Sequence, residues 1–337
     1  MYSDKSCDTI VLIINVNQGG TIMLLRQIME LFDLLDKPSA NGTEVLNLIR
    51  ERGSENVVTY LDTVTGPKGN TDFVKVLIKG SNGKSSGGNA PTLGIIGRLG
   101  GIGARPSVIG FVSDGDGALA ALAAALKLSE MNSNGDILPG DVIVSTHICP
   151  TAPTREHKPV PFMDSPVDMA LANSKDVDGM MDAIISIDTT KGNRVINVNG
   201  IAISPTTKDG YILKVSDSVL DVMTKVTGKS PVVFPLSQQD ITPYGNDLYH
   251  LNSILQPTTA TSAPVIGVAV TTELPVAGCA TGASHPGDVE LAARFAVEVA
   301  KGLGEGSVSF YDEEEFALIE KLYGDMKRFQ TFGNRQS

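Results

Sequence analysis

The chain has 337 residues, of which 42% are apolar, and it carries a formal net charge of −11. This composition predicts a soluble globular protein with a full hydrophobic core. The acidic balance, without any cluster of Lys and Arg, argues against nucleic acid or an anionic membrane surface as a partner. Three cysteines without short spacing argue against a disulfide framework and favour a reducing, cytoplasmic location.

Residues 1–22 are interpreted as an N-terminal extension with a short strand. The apolar core of this segment, within "DTIVLIINVNQGGTI", is far shorter than the ~20 residues that a membrane span needs. Its β-branched residues favour a strand, which either packs on its own chain or joins the sheet edge of a neighbour. Residues 9–16 are therefore a candidate assembly contact.

From Met23 onward, apolar periodicity predicts alternating helices and strands. We expect helices at 23–35, 43–53, 117–131, 216–227 and 287–303, and strands at 57–64, 72–80, 107–112, 141–146, 182–187, 231–234 and 264–270. A Gly-rich segment lies between the second and third of these strands, and a last amphipathic helix is expected to begin near Asp312.

This alternation predicts an α/β fold with three layers: a mostly parallel, twisted sheet with helices on both faces. We expect one main domain over residues 23–310, followed by a C-terminal helix within residues 311–337.

Three short motifs are too incomplete to indicate a site. "NGKSS" lacks the leading glycine of a phosphate loop, and "DGDG" lacks the third oxygen ligand and the distant glutamate of a calcium loop. Cys149 and His147 are two residues apart without an orienting third group, so a buried thiol is the favoured interpretation of Cys149.

Polar side chains follow several of the predicted strands, or precede a helix, in a way that indicates a site. They are Asp114, Asp116, His147, Asp188 and His285. Sites in open α/β sheets lie at the carboxyl ends of strands, and Asp and His are ligands that zinc takes. The alternatives are a helix cap or a turn for the aspartates, a core position for His147 and an ordinary loop position for His285. Their joint placement favours a site for zinc or another divalent metal.

Several segments also follow one another in a distinctive order: "KPSANGTEV", "SDGDGALAALAAALKL", "LPGDVIVSTHI", "DAIISIDTT" and "ATGASHPGDVE". In this order, over roughly residues 23 to 303, they resemble the co-catalytic zinc aminopeptidase superfamily, especially the tetrahedral or glutamyl aminopeptidases. The chain is similar as well to a prokaryotic family of unknown function that shares this framework. The resemblance implies a zinc-peptidase-like fold with one or two zinc ions per chain.

Residue by residue, the resemblance implies that Asp114 is the aspartate that bridges two metals, with Asp116 as the alternative. It implies that Asp188 and His285 are further metal ligands, while His147 stands near the position of a missing one.

The family's consecutive glutamates, a general base and a ligand, correspond here to Pro150 and Thr151. The general base is therefore open among Glu156, Asp164 and Glu273. Loss of such a base slows hydrolysis by roughly 10²–10⁴-fold.

Two functions remain open at this point. One is a metal-dependent hydrolase of peptide or amide bonds in small substrates. The alternative is a catalytically inactive peptidase-fold protein that acts in self-assembly or ligand binding. A proline-rich segment with Arg155, His157 and Lys158 is either a loop over the site that binds a substrate carboxylate or a solvated surface loop. A homo-oligomer is expected under both functions.

Overall fold

The computed structural model describes residues 23–98, 110–156, 162–276, 278 and 281–334. Within them the strands are β1 Val57–Gly66, β2 Gly69–Ile78, β3 Leu93–Gly97, β4 Val142–Ile148, β5 Thr154–Arg155, β6 Phe162–Met163, β7 Ala183–Thr189, β8 Gly200–Ile203, β9 Thr206–Lys208, β10 Tyr211–Leu213 and β11 Val265–Thr271. The α-helices are α1 Leu24–Leu35, α2 Gly42–Arg52, α3 Asp116–Ser133, α4 Met169–Asp176, α5 Asp217–Thr227, α6 Pro286–Glu305 and α7 Glu313–Tyr323. The predicted extension, with its strand at residues 9–16, lies outside the described residues.

Nine of the eleven strands form one sheet in the order β1-β2-β4-β3-β7-β11-β9-β10, with β8 also paired to β11, while β5 and β6 form a separate two-stranded sheet. The expected α/β class is confirmed, but the sheet is mixed rather than mostly parallel. Only the central strands β4, β3, β7 and β11 pair in parallel with one another, whereas the outer pairs are antiparallel. The outer strands β1 and β2, like β9 and β10, are joined by two-residue turns, which permit only antiparallel pairing.

The central strand β3 differs from the prediction. It lies within the Gly-rich segment, for which no strand was predicted, and all five of its residues are buried. A strand that is buried on both faces has a short, continuous run of apolar residues rather than alternating apolar and polar ones, and "LGIIG" is such a run. The strand predicted at 107–112 is not observed in its described part, since residues 110–112 lie outside any strand.

The helices α2, α3 and α6 pack against one face of the sheet, and α1 and α5 pack against these helices. The apolar side chains of all five helices share one core with the sheet. In α1 the buried residues Leu24, Ile28, Leu31 and Leu35 recur at helical spacing, which directs one stripe of the helix to the core. The central helix α3 is buried nearly all round, as its Ala and Leu content permits.

The opposite face is covered by α4, by short 3-10 helices at Gln238–Ile241 and Gln256–Ala260, and by loops. The prediction of helices on both faces therefore holds only in part, because this face carries one short α-helix and two short 3-10 helices rather than a full helical layer.

The amphipathic helix expected near Asp312 is observed as α7. The Asp312 side chain accepts a hydrogen bond from the Glu315 amide at 2.9 Å, which caps the helix. Phe316 is buried against the rings of Tyr211 and Tyr311, with ring centroids 6.1 and 5.5 Å away. The helix thus packs against the β9–β10 hairpin. The division of the chain at residue 311 stays a prediction.

Candidate functional site

The carboxyl ends of the four parallel strands meet at one edge of the sheet, and α3 begins beside them. The chain reaches α3 through a 3-10 turn, Ser113–Gly115, whose Ser113 carbonyl accepts a hydrogen bond from the Thr189 hydroxyl at 2.6 Å. Gly117 makes this approach possible, since a Cβ there would lie 2.0 Å from the Arg98 carbonyl oxygen and 2.4 Å from that of Ile187. The start of α3 is thereby held against the ends of β3 and β7.

Asp116, the first residue of α3, has a fully buried side chain with two side-chain partners. Its Oδ1 accepts a hydrogen bond from the Ser284 hydroxyl at 2.6 Å, and its Oδ2 lies 3.3 Å from Lys191 Nζ. Burial raises the pKa of Asp116 to about 7, against the lowering effect of Lys191. A buried carboxylate keeps its charge only where such partners offset its lost hydration.

Asp188 lies at the end of β7 and is 5% exposed. Its carboxylate accepts hydrogen bonds from the Ser253 hydroxyl and the Thr189 amide, both at 2.7 Å. Burial raises the pKa of Asp188 to about 6; the positive charge of Arg98 lowers this pKa, while the negative charge of Asp114 raises it.

Asp114 is the most accessible of the three aspartates. Its amide donates to the Gly278 carbonyl at 2.9 Å, and its Oδ2 accepts from the Met163 amide at 3.3 Å. Its charge raises the pKa of both Asp116 and Asp188, and the hydrogen bond from Thr189 to Ser113 joins the chain segments that carry Asp188 and Asp114. We call Asp114, Asp116 and Asp188 the acidic cluster.

Sequence reasoning missed the basic residues around this cluster. Arg98 is 2% exposed; it ion-pairs with Asp176 at 2.9 Å and contacts the Met169 sulfur. Lys191 is nearly buried beside Asp116. The only local signal in the sequence was that Arg98 directly follows the apolar residues of β3 and that Lys191 follows those of β7. This pattern does not reveal their partners, which lie more than 70 residues away in the chain.

His147 projects from β4 into a packed environment. Its Nδ1 lies 2.8 Å from the Thr71 hydroxyl, and its ring stacks on Phe73 with centroids 5.1 Å apart. Burial lowers the pKa of His147 to about 3, assisted by the charge of Arg98. These contacts are those of a neutral core histidine, and the role of metal ligand stays a prediction.

His285 is the residue before α6, and its side chain is half exposed. Its Nδ1 lies 3.4 Å from an Asp288 oxygen. The neighbouring Ser284, rather than His285 itself, supplies the contact with Asp116.

The remaining sequence candidates are dispersed. Glu156 and Glu273 are exposed, and Asp164 ion-pairs with Lys68. His157 and Lys158 lie outside the described residues, and Arg155 contributes its backbone to β5.

The residues of this site do not fit a zinc centre. Across the described ranges, no group of three or more His, Cys, Asp or Glu side chains is placed to hold a metal ion. Both oxygens of Asp116 already have partners, and one of these is an ammonium group. Burial raises the pKa of the Cys149 thiol, which disfavours the thiolate form that binds metals. The zinc prediction is not supported by this donor set and stays a prediction.

A separate groove of about 320 Å³ lies on the outer part of the sheet. Its apolar lining includes Phe73, Leu77 and Met180. Ion pairs flank it, Lys75 with Asp178 at 2.8 Å and Lys175 with Asp62 at 2.6 Å. No pattern in the sequence indicated this groove.

Within the described part of the chain, no helix combines the length and apolar character required to cross a bilayer. A search of curated proteins found no match to the sequence. A family model described as "Protein of unknown function (DUF1177)" matches residues 62–333, a span that contains the whole acidic cluster, Lys191 and Arg98. Since this match covers most of the 337 residues, the chain belongs to the DUF1177 family.

Proposed function

We propose that the protein binds a small molecule with a protonated amine at the acidic cluster, between Asp114 and Asp188, and that its fold is a zinc-peptidase-like framework without peptidase catalysis. The observation that carries this proposal is that Asp114 and Asp188 both lie at the carboxyl ends of the parallel strands, where the Thr189 hydroxyl donates to the Ser113 carbonyl oxygen at 2.6 Å. Ligand sites of open α/β sheets lie at this edge.

The chemistry of the ligand follows from the charges. Asp116 is already paired with Lys191, so the ligand would meet Asp114 and Asp188. The charge of Asp114 raises the pKa of Asp188, and a cation placed between these two carboxylates favours the ionised form of Asp188. Across the described residues, no group of three or more His, Cys, Asp or Glu side chains is placed to hold a metal ion. An organic ammonium group, which donates up to three hydrogen bonds, is a cation that these aspartates can bind without a complete metal shell.

The expected ligands are small peptides or amides with a free amino group, the class that the motif order also indicates. Asp114 is more accessible than Asp188 and would meet such a ligand first, while the buried Asp188 accepts a hydrogen bond from Ser253. A carboxylate with a raised pKa near neutrality binds an amine best when it is ionised.

A metal-dependent hydrolase of peptide or amide bonds is the second candidate. It is favoured by the positions of Asp114, Asp116 and Asp188 at one edge of the sheet, in the motif order of the zinc aminopeptidases. It requires that residues outside the described ranges complete the metal shell.

The test is calorimetric titration of the full chain with a panel of amines, amino acids and dipeptides, beside their N-acetylated forms. We expect binding of at least one free-amine ligand, with affinity reduced about tenfold or more in Asp188→Asn, as for loss of a buried charge partner. The N-acetylated forms should not bind, and affinity should fall as the pH is lowered through about 6, the pKa of Asp188.

Asp182→Asn is the matched control. Asp182 directly precedes β7, the strand that carries Asp188, and its partly exposed side chain forms an ion pair with Lys84. Equal affinity for free and acetylated ligands would contradict amine recognition. Turnover of a peptide that depends on added zinc would favour the second candidate instead.

A further inference from the structure

Within the described residues, Lys191 is the cationic group that contacts Asp116, and it joins three parts of the chain. Its ammonium lies 3.3 Å from Asp116 Oδ2 at the start of α3 and donates to the Ala283 carbonyl oxygen at 3.0 Å. The next residue, Ser284, donates to the other oxygen of Asp116. The end of β7, the start of α3 and the segment before α6 therefore meet at one positive charge.

This position is fixed by the backbone. The Gly192 amide donates to the Thr272 hydroxyl at 3.0 Å, and a Cβ on Gly192 would lie 2.3 Å from the Thr272 carbonyl oxygen. The chain after β7 is thus packed against the end of β11. The Lys191 side chain, 8% exposed, extends from this packed segment to Asp116.

Through its ammonium group, Lys191 joins two chain segments by contacting a carboxylate oxygen of Asp116 and the carbonyl oxygen of Ala283. A divalent ion would draw on the same carboxylate and carbonyl oxygens. A second cation on Asp116 would lie close to the ammonium in a buried setting, where like charges repel strongly. Asp116 cannot serve both at once.

We infer that Lys191 is the built-in cation of this site, and that its ammonium takes the place of a divalent metal ion between Asp116 and the segment before α6. The ion pair and its surroundings support this role whether or not the acidic cluster binds amines. Lys191 is a positioning residue, since its ammonium holds the ends of three elements at the edge where a ligand would enter.

The experiment compares the full-length wild-type chain with Lys191→Met and Lys191→Arg. Methionine keeps much of the apolar stem and removes the charge, whereas arginine keeps the charge. Each chain is dialysed against zinc and against manganese, metal per chain is measured, and thermal unfolding is followed with and without each metal.

We expect the wild type and Lys191→Arg to retain no stoichiometric metal and to show no metal-dependent shift in Tm. Lys191→Met should unfold at a lower temperature than the wild type. It should bind manganese or zinc about tenfold or more tightly than the wild type, with a matching rise in Tm. A second change, Asp116→Asn, should abolish that gain, which separates this site from zinc bound at exposed histidines.

One zinc ion per wild-type chain that is lost in Asp116→Asn would overturn the inference, and this result needs no Lys191 variant to fold. A folded Lys191→Met chain whose Tm and metal content do not respond to either metal would overturn it as well. Neither result bears on amine binding, which is measured with metal-free protein.

Discussion

At the scale of single residues, His147 shows how burial decides the behaviour of an ionisable group. Its ring is enclosed by Thr71, Phe73 and the strand from which it projects, and its pKa is lowered from 6.5 to about 3. The imidazole is therefore neutral in the folded chain at pH values where it is protonated in the unfolded chain.

This difference predicts a pH dependence. Between pH 6.5 and about 3 the unfolded state binds the proton of His147 and the folded state does not, so stability falls as the pH is lowered. The slope from one such group is about 1.4 kcal/mol per pH unit. We expect the free energy of unfolding to fall more steeply between pH 6 and 4 in the wild type than in His147→Gln, measured by urea denaturation.

The comparison of slopes is needed because Asp116, Asp176 and Asp188 have raised pKa values and act in the opposite direction over part of this range. Parallel curves for the wild type and His147→Gln would show that His147 titrates normally in the folded chain.

The sequence indicated Asp114, Asp116 and Asp188 because each follows or adjoins a recognisable apolar strand or helix start. It did not indicate Lys191 or Arg98, whose partners Asp116 and Asp176 are distant in the chain. A local pattern shows where a charge stands along the chain, while its partner depends on which strands are neighbours in the sheet. The acidic half of the site was therefore predictable, and the basic half was not.

At the scale of elements, α3 is positioned by the absence of a side chain at one residue. Gly117 allows the first turn of α3 to lie against the carbonyl groups at the ends of β3 and β7. A methyl group at this position has no space unless the helix moves, because the nearest atoms are backbone. The acidic cluster depends on this contact, since Asp116 precedes Gly117 directly.

We expect Gly117→Ala to lower the free energy of unfolding by about 3 kcal/mol, the upper range for overpacking a core. Gly287→Ala is a matched control, because Gly287 also lies in the first turn of a helix and a Cβ there would meet no neighbouring atom within 4 Å. The control should be neutral or slightly stabilising. Chemical denaturation measures both, and similar effects at the two sites would contradict the close packing of α3.

Elements with clear periodicity were predicted within a few residues, as for α1, α6 and β11. The strands β8, β9 and β10 were not predicted, because they have three or four residues each and carry too few positions for a period to show. The predicted strand at 231–234 is reduced to an isolated bridge between Val233 and Ile203.

At the scale of the whole molecule, α7 extends the structure beyond the sheet and its main helical layer. Its buried contact is Phe316, which lies between Tyr211 and Tyr311, with Lys208 Nζ 5.1 Å from the Phe316 ring centroid. The helix is thus attached through a small aromatic group rather than through the main core.

We expect Phe316→Ala to cost about 3 kcal/mol and to make residues 313–323 susceptible to proteolysis before the remainder of the chain unfolds. Leu318→Ala, on the exposed side of the same helix, should change stability by less than about 0.5 kcal/mol. Limited proteolysis with mass spectrometry follows the release of the helix. Cleavage that begins only with global unfolding would show that α7 and the sheet unfold as one unit.

The position of β3 in the sheet has a consequence for synthesis. Leu93 pairs with Val142 on one side and with Ala183 on the other. Because both partner strands are synthesised after β3, β3 cannot pair fully until β7 has left the ribosome. At typical rates of elongation, the wait for β7 is on the order of 10 s. For that interval the nascent chain carries an unpaired apolar strand, and its yield of folded protein should depend on the chaperones that meet it there.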